Sequence, residues 1–179
     1  MPDLEVLENP KTNLASEIFT SDGKTLAKYY FNDNRTPVTF DELPPHLVDA
    51  LIATEDIRFY SHSGIDFKRT FGAAIKFGKD GGGSTITQQL AKLLFTGEGS
   101  KDIIERITQK FKEYIIAVRL ERNYTKEEII TQYLNLYDFN NNGDGIRSAA
   151  RIYFGKEPID LDINESAILV GMLKNSSLY

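Results

Sequence analysis

The stretch Leu47–Asp66, "LVDALIATEDIRFYSHSGID", joins an apolar run to a dense group of charges. Leu47, Leu51 and Glu55 stand four apart, as do Val48 and Ile52, so a helix through the run would carry Glu55 on its apolar face. Asp56 would lie about 100° further round that helix. A carboxyl group turned toward packed apolar surface is partly desolvated, which favours its protonated form and suits it to proton transfer near neutral pH. The same residues also read as a helix end followed by a polar loop, and this segment alone leaves both readings open. His62 and Asp66 stand four apart around Gly64 and read as a pair that caps or orients the turn. The chain has two histidines, His46 and His62, too few nearby ligands for a tetrahedral metal site.

The bulk properties set wide limits. With 179 residues, 41% hydrophobic and 26% charged, the chain can bury a real core and lies outside the composition of disordered segments. Its formal charge of −5 makes no global case for a nucleic-acid partner. The absence of cysteine excludes disulfides, thiolate nucleophiles and cysteine-ligated metals, and leaves the compartment open. No run reaches the roughly 18 apolar residues of a membrane span, and "MPDLEVLENP" is not an export signal. The chain reads as a soluble fragment of a longer protein.

Periodicity predicts a mainly helical domain with a short β element in front. Residues 1–43 form an N-terminal linker with a hairpin turning at Ser21–Lys24, and residues 44–179 form the main domain. Pro44 or Pro45 opens the first helix. Phe67, Phe71 and Ile75 make an apolar stripe rimmed by Lys68, Arg69, Lys76 and Lys79, which suits either a core or a membrane interface. "STITQQLAKLLF" reads as a capped helix after the triple glycine. A long helix from about Lys101 to Arg122 is expected to turn Ile103, Ile107, Phe111, Tyr114, Ile115 and Val118 inward. Thr125–Glu128 is a capping box for the next helix, "NNNGDG" a loop, "IRSAARIYFG" a short helix, and Asp162–Glu165 the cap of the last.

Two further groups could carry chemistry. Ser84 and Thr85 at a helix start offer hydroxyls and backbone amides that suit an anion, while Gln88 and Gln89 suit sugar hydroxyls and Lys92 a phosphate. This is not a P-loop, because the Gly-Lys-Ser/Thr order is missing. On the long helix, Arg106, Gln109, Lys110 and Glu113 share a face, with Lys112 close by. Such a row is usually a solvated face, but a carboxylate among cations also stays ionised. Paired with a desolvated Glu55, it would give the division of labour between two acids seen in sugar chemistry.

Together these segments resemble the peptidoglycan glycosyltransferase domain of class A penicillin-binding proteins, glycosyltransferase family 51. "EDIRFYSHSGID" matches that family's E-D-x-x-F-x-x-H-x-G-x-D at every fixed position, and "GGSTITQQLAK" matches its second block. "QKFKE", "YLNLYDFNNNGDGIRSAARIYFGK" and "ESAILVGMLKNSSLY" follow in the family's order. Three positions depart from its pattern: Gln109 and Gly72 stand where arginines are usual, and Leu173-Lys174 replaces Leu-Pro.

The resemblance implies a lysozyme-like, two-lobed helical fold that polymerises lipid II on the outer face of the bacterial cytoplasmic membrane. Glu55 and Glu113 would be the catalytic acids, with Glu55 the general base in an inverting transfer that expels undecaprenyl pyrophosphate. Asp56, His62, Ser84, Thr85, Gln88, Gln89, Lys92, Arg106, Lys110, Lys112 and Asn135 would bind substrate. No cofactor is required, although a divalent cation (Mg or Mn) at the pyrophosphate is compatible with the chemistry. Implied partners are lipid II and the growing glycan strand, the membrane surface, a C-terminal transpeptidase domain and moenomycin-type inhibitors, and not nucleic acid. A lysozyme-like hydrolase or lytic transglycosylase is the nearest rival, and an inactive glycan- or lipid-binding module a third reading.

Overall fold

The structure is a computed structural model and describes residues 16–23, 25–29, 35–70, 83–97 and 102–174. Strand β1 (Ser16–Phe19) pairs antiparallel with β2 (Thr25–Tyr29), Ser16 opposite Tyr29, and the Gly23 amide donates to the Thr20 carbonyl at 2.9 Å in the turn. The expected hairpin is present. The rest is mainly helical: α1 (Pro45–Glu55), α2 (Ile86–Ala91), α3 (Ile103–Asn123), α4 (Lys126–Leu136), α5 (Ile146–Phe154) and α6 (Ile163–Lys174). The chain forms two compact units, one holding Ile52–Tyr133 and the other Lys11–Leu51 with Leu134–Tyr179.

In the first unit α2 packs on α3, burying Ile86, Leu90 and Ala91 with Ile116, Ala117 and Leu120. Ile129, Ile130 and Tyr133 of α4 and the ring of Phe59 are also fully buried. Thr125 and Glu128 cap α4 reciprocally: the Thr125 amide donates to the Glu128 carboxylate at 2.7 Å, and the Glu128 amide to the Thr125 hydroxyl at 3.2 Å. Lys126 then stands 4.2 Å from the Phe59 ring centroid, donates to the His62 carbonyl at 2.8 Å and pairs with Glu121 at 2.8 Å. One cation thus fastens the loop after α1 to the α3–α4 corner.

The face of α3 corrects an expectation. Ile103, Ile107, Phe111 and Ile115 are exposed, and Tyr114 and Val118 only half-buried, whereas Glu113, Ile116, Ala117 and Leu120 are buried. The helix is covered along the face that carries Glu113, Ile116, Ala117 and Leu120, against which α2 packs. The stripe of Ile103, Ile107 and Phe111 faces outward.

In the second unit the side-chain amide of Asn135 spans to a neighbouring segment, accepting from the Val38 amide and donating to the Val38 carbonyl, each at 2.9 Å. Arg147 of α5 donates to the Pro37 carbonyl at 2.9 Å and to Glu157 at 3.0 Å, and also pairs with Glu42. The loop before α5 carries Asn140, Asn141 and Asn142 in succession at positive φ (61°, 51° and 63°), a conformation asparagine tolerates better than most residues. Asp162 and Glu165 cap α6 as expected, the Glu165 amide donating to Asp162 at 2.9 Å and the Asp162 amide to Glu165 at 2.8 Å.

Candidate active site

Glu55 is the last residue of α1, with only 9% of its surface exposed, so the four-residue stripe of Leu47 and Leu51 carries it inward as expected. Its carboxylate oxygen Oε2 accepts from the Gln89 side-chain amide at 2.7 Å, and its backbone carbonyl accepts from the Arg69 guanidinium. On the other side of Gln89, the Tyr133 hydroxyl donates to Oε1 at 2.9 Å. The carboxylate therefore accepts from a neutral amide, at a helix end that a cation fixes through the backbone.

Asp56 is buried more deeply than Glu55, at 1% exposed. Its Oδ2 lies 3.0 Å from Nε2 of His62 and accepts from the Ile86 amide at 3.1 Å. The first amide of α2, part of the expected anion cradle, is thus already taken by a carboxylate of this chain. Asp66 completes the turn: Arg58 reaches it at 2.7 Å and the Arg69 amide donates to it at 3.0 Å. Burial alone would push Asp66 up, but the Arg58 hydrogen bond, the Arg69 amide and nearby positive charge together hold its carboxyl below the usual aspartate range.

Gly64 makes this arrangement possible. Its φ is +90°, and a Cβ there would lie 2.8 Å from the Ala117 carbonyl carbon and oxygen, so only glycine lets the loop backbone rest on α3. The Gly64 carbonyl accepts from the Thr85 hydroxyl at 2.7 Å and from the Gln88 side chain at 3.3 Å. Thr85 also accepts from the Gln88 amide at 3.1 Å, and the Gln88 side chain accepts from the Thr85 amide at 3.3 Å. Both residues are fully buried, and their polar atoms serve the cap and the loop.

The second acid is tied to the same segment. Glu113, 6% exposed, pairs with Lys110 at 2.7 Å, and Lys110 donates to the Ser84 hydroxyl at 2.6 Å. Thr96, in the π-helical turn Lys92–Thr96 that extends α2, donates to Glu113 at 3.4 Å. Lys92, Arg106 and Lys112 are exposed cations, and Asn135 lies in the second unit with both ends of its amide bonded to Val38. Gly72, Phe71 and Ile75 lie outside the described residues, while Phe67 is 75% exposed. Among the described residues no three His, Cys, Asp or Glu side chains gather as a metal cage, and Glu113 already holds a lysine. These residues do not by themselves fit a divalent cation, and no step below passes through one.

Tyr133 and Thr96 belong to the site without having stood out in the sequence, and Arg69, read there only as part of a basic rim, holds the Glu55 carbonyl. Tyr133 had one available signal: a tyrosine within the buried stripe of Ile129 and Ile130 must find a partner for its hydroxyl.

The mainly helical fold, with two buried acids tied to one segment, is compatible with a glycan-processing domain. A family model described as Transglycosylase matches residues 22–179, and the chain belongs to that family, the peptidoglycan glycosyltransferase domain of class A penicillin-binding proteins. It is 38% identical over 184 residues to penicillin-binding protein 1A of Escherichia coli (strain K12), covering 100% of this chain and 21% of the relative. It is 41% identical over 169 residues to penicillin-binding protein 1F of Bacillus subtilis (strain 168), covering 92% of this chain and 23% of the relative. It is 40% identical over 144 residues to penicillin-binding protein 2a of Streptococcus pneumoniae (strain D39 / NCTC 7466), covering 80% and 19%. The chain thus spans about a fifth of the length of these relatives.

Proposed function

We propose that this domain polymerises lipid II into β-1,4-linked glycan with inversion, and that Glu55 is the general base. The observation that supports this most is the tethering of two buried acids to one segment: Glu55 to Gln89 of α2, and Glu113 through Lys110 to Ser84 just before it. Glu55, held by the neutral Gln89 amide, takes the proton from the 4-hydroxyl of the acceptor sugar. The hydroxyl oxygen attacks the anomeric carbon of the growing chain. The bond from that carbon to the pyrophosphate oxygen breaks, and its electron pair leaves with undecaprenyl pyrophosphate. Lys110 with Glu113, and the exposed Lys92, Arg106 and Lys112, form the cationic side that stabilises the departing charge.

A lipid-linked substrate also accounts for the outward stripe of α3. Ile103, Ile104, Ile107 and Phe111 are 71%, 75%, 53% and 62% exposed, beside Arg106, Lys110 and Lys112 on the same helix. An apolar face with a basic rim suits the interface of an anionic membrane. In this reading the domain works at the outer face of the cytoplasmic membrane, next to a transpeptidase domain in the longer protein, and a moenomycin-type inhibitor occupies the cationic side. No helix among the described residues is long and apolar enough to cross a membrane.

The test is to supply labelled lipid II and, separately, preformed glycan. Chain growth with release of undecaprenyl pyrophosphate is expected. Glycan cleavage without chain growth would replace the transferase by the lysozyme-like hydrolase.

A further inference from the structure

We propose that Tyr133 is a positioning residue for Glu55, acting through the side-chain amide of Gln89. The inference rests on Glu55 being the base. Tyr133 is fully buried in the first unit, and its hydroxyl donates to Gln89 Oε1 at 2.9 Å while Gln89 Nε2 donates to Glu55 Oε2 at 2.7 Å.

A primary amide has one accepting end and one donating end. Turned over, Gln89 would bring its own oxygen to within hydrogen-bond distance of the Glu55 carboxylate, oxygen against oxygen. An ionised carboxylate only accepts, so it requires Nε2 on its side, and the phenol stabilises that orientation by donating to Oε1 on the other. A donor to the charged form favours that form over the protonated one, so the relay reaches the proton affinity of the base without touching substrate. The guanidinium of Arg69 holds the Glu55 backbone carbonyl independently. Loss of the phenol hydroxyl frees the carboxylate to turn while the end of α1 stays in place.

The test compares the pH dependence of kcat/KM for lipid II polymerisation in the unmodified chain, Tyr133→Phe, Gln89→Leu and the double variant, with Glu55→Gln as a control. Removing the Tyr133 hydroxyl is expected to move the acid limb of the profile upward by up to about one pH unit, which is up to about tenfold in rate on that limb. The rate should recover at higher pH, and KM should change less than about twofold. The Tyr133→Phe change should add little to Gln89→Leu, since the two act through one contact. A purely structural defect would lower the rate at all pH values and leave the limb where it was. If Tyr133→Phe folds poorly, 3-fluorotyrosine at position 133 keeps the ring and makes a stronger donor, and the limb should move to lower pH. An unmoved limb with an inactive Glu55→Gln overturns the role of Tyr133 and leaves the base assignment standing. An active Glu55→Gln overturns both.

Discussion

The buried carboxylate of Asp56 closes the N-terminus of α2 by accepting the Ile86 amide at 3.1 Å. An aspartate that follows α1 in sequence thereby fixes where α2 starts, and α2 carries Gln89 to Glu55. His62 shares the same oxygen of Asp56 at 3.0 Å, so the loop between is pinned at both ends.

Asp56→Asn keeps the shape but removes the charge that faces the helix amide and the imidazole. We expect a loss of about 1–3 kcal/mol of stability, measured by urea unfolding, together with reduced polymerisation because Glu55 and α2 lose their common anchor. An unchanged unfolding midpoint would contradict this role.

Glu55→Gln should behave oppositely. Its side-chain oxygen can still accept from Gln89, so thermal unfolding should shift little, while polymerisation falls by at least about a hundredfold. Undiminished polymer formation would refute Glu55 as the base.

Gly64→Ala meets two obstacles, a φ of +90° and a Cβ 2.8 Å from the Ala117 carbonyl. The expected cost is about 2 kcal/mol or more, read from urea unfolding. Near-native stability would show that the loop can lift off α3 cheaply.

The stability contributed by Asp66 has a defined pH sense. Its carboxyl is held below the ordinary range in the folded state, so the contribution is complete above the unfolded aspartate value and is lost as the pH falls through the lower folded one. Arg58→Met removes the guanidinium that Asp66 accepts from, so the acid-unfolding midpoint, followed by circular dichroism, should move to higher pH.

Lys110→Met leaves the nearly buried Glu113 without its lysine and Ser84 without its donor. We expect stability to fall by about 1–3 kcal/mol and polymerisation to fall with it. The comparison with Lys112→Met is informative, since Lys112 is exposed and that change should alter lipid II use without lowering the unfolding midpoint.

Much of this protein is determined by local chemistry and was legible in the chain itself. The helix that carries Glu55, the boxes at Thr85, Thr125 and Asp162, and the hairpin turn at Gly23 follow from side chains interacting within a few residues of themselves. Glu55 was readable because its apolar neighbours recur at helical spacing on the same face. The face of α3 was not. Periodicity shows that a helix has two unlike faces, but only tertiary packing decides which one is covered, and α2 covers the side bearing Glu113, Ile116 and Ala117. The same limit hid the second role of Asp56 and the whole of the Tyr133–Gln89–Glu55 relay. Each joins residues about thirty to eighty positions apart, and no local spacing encodes a contact that exists only once the helices have met.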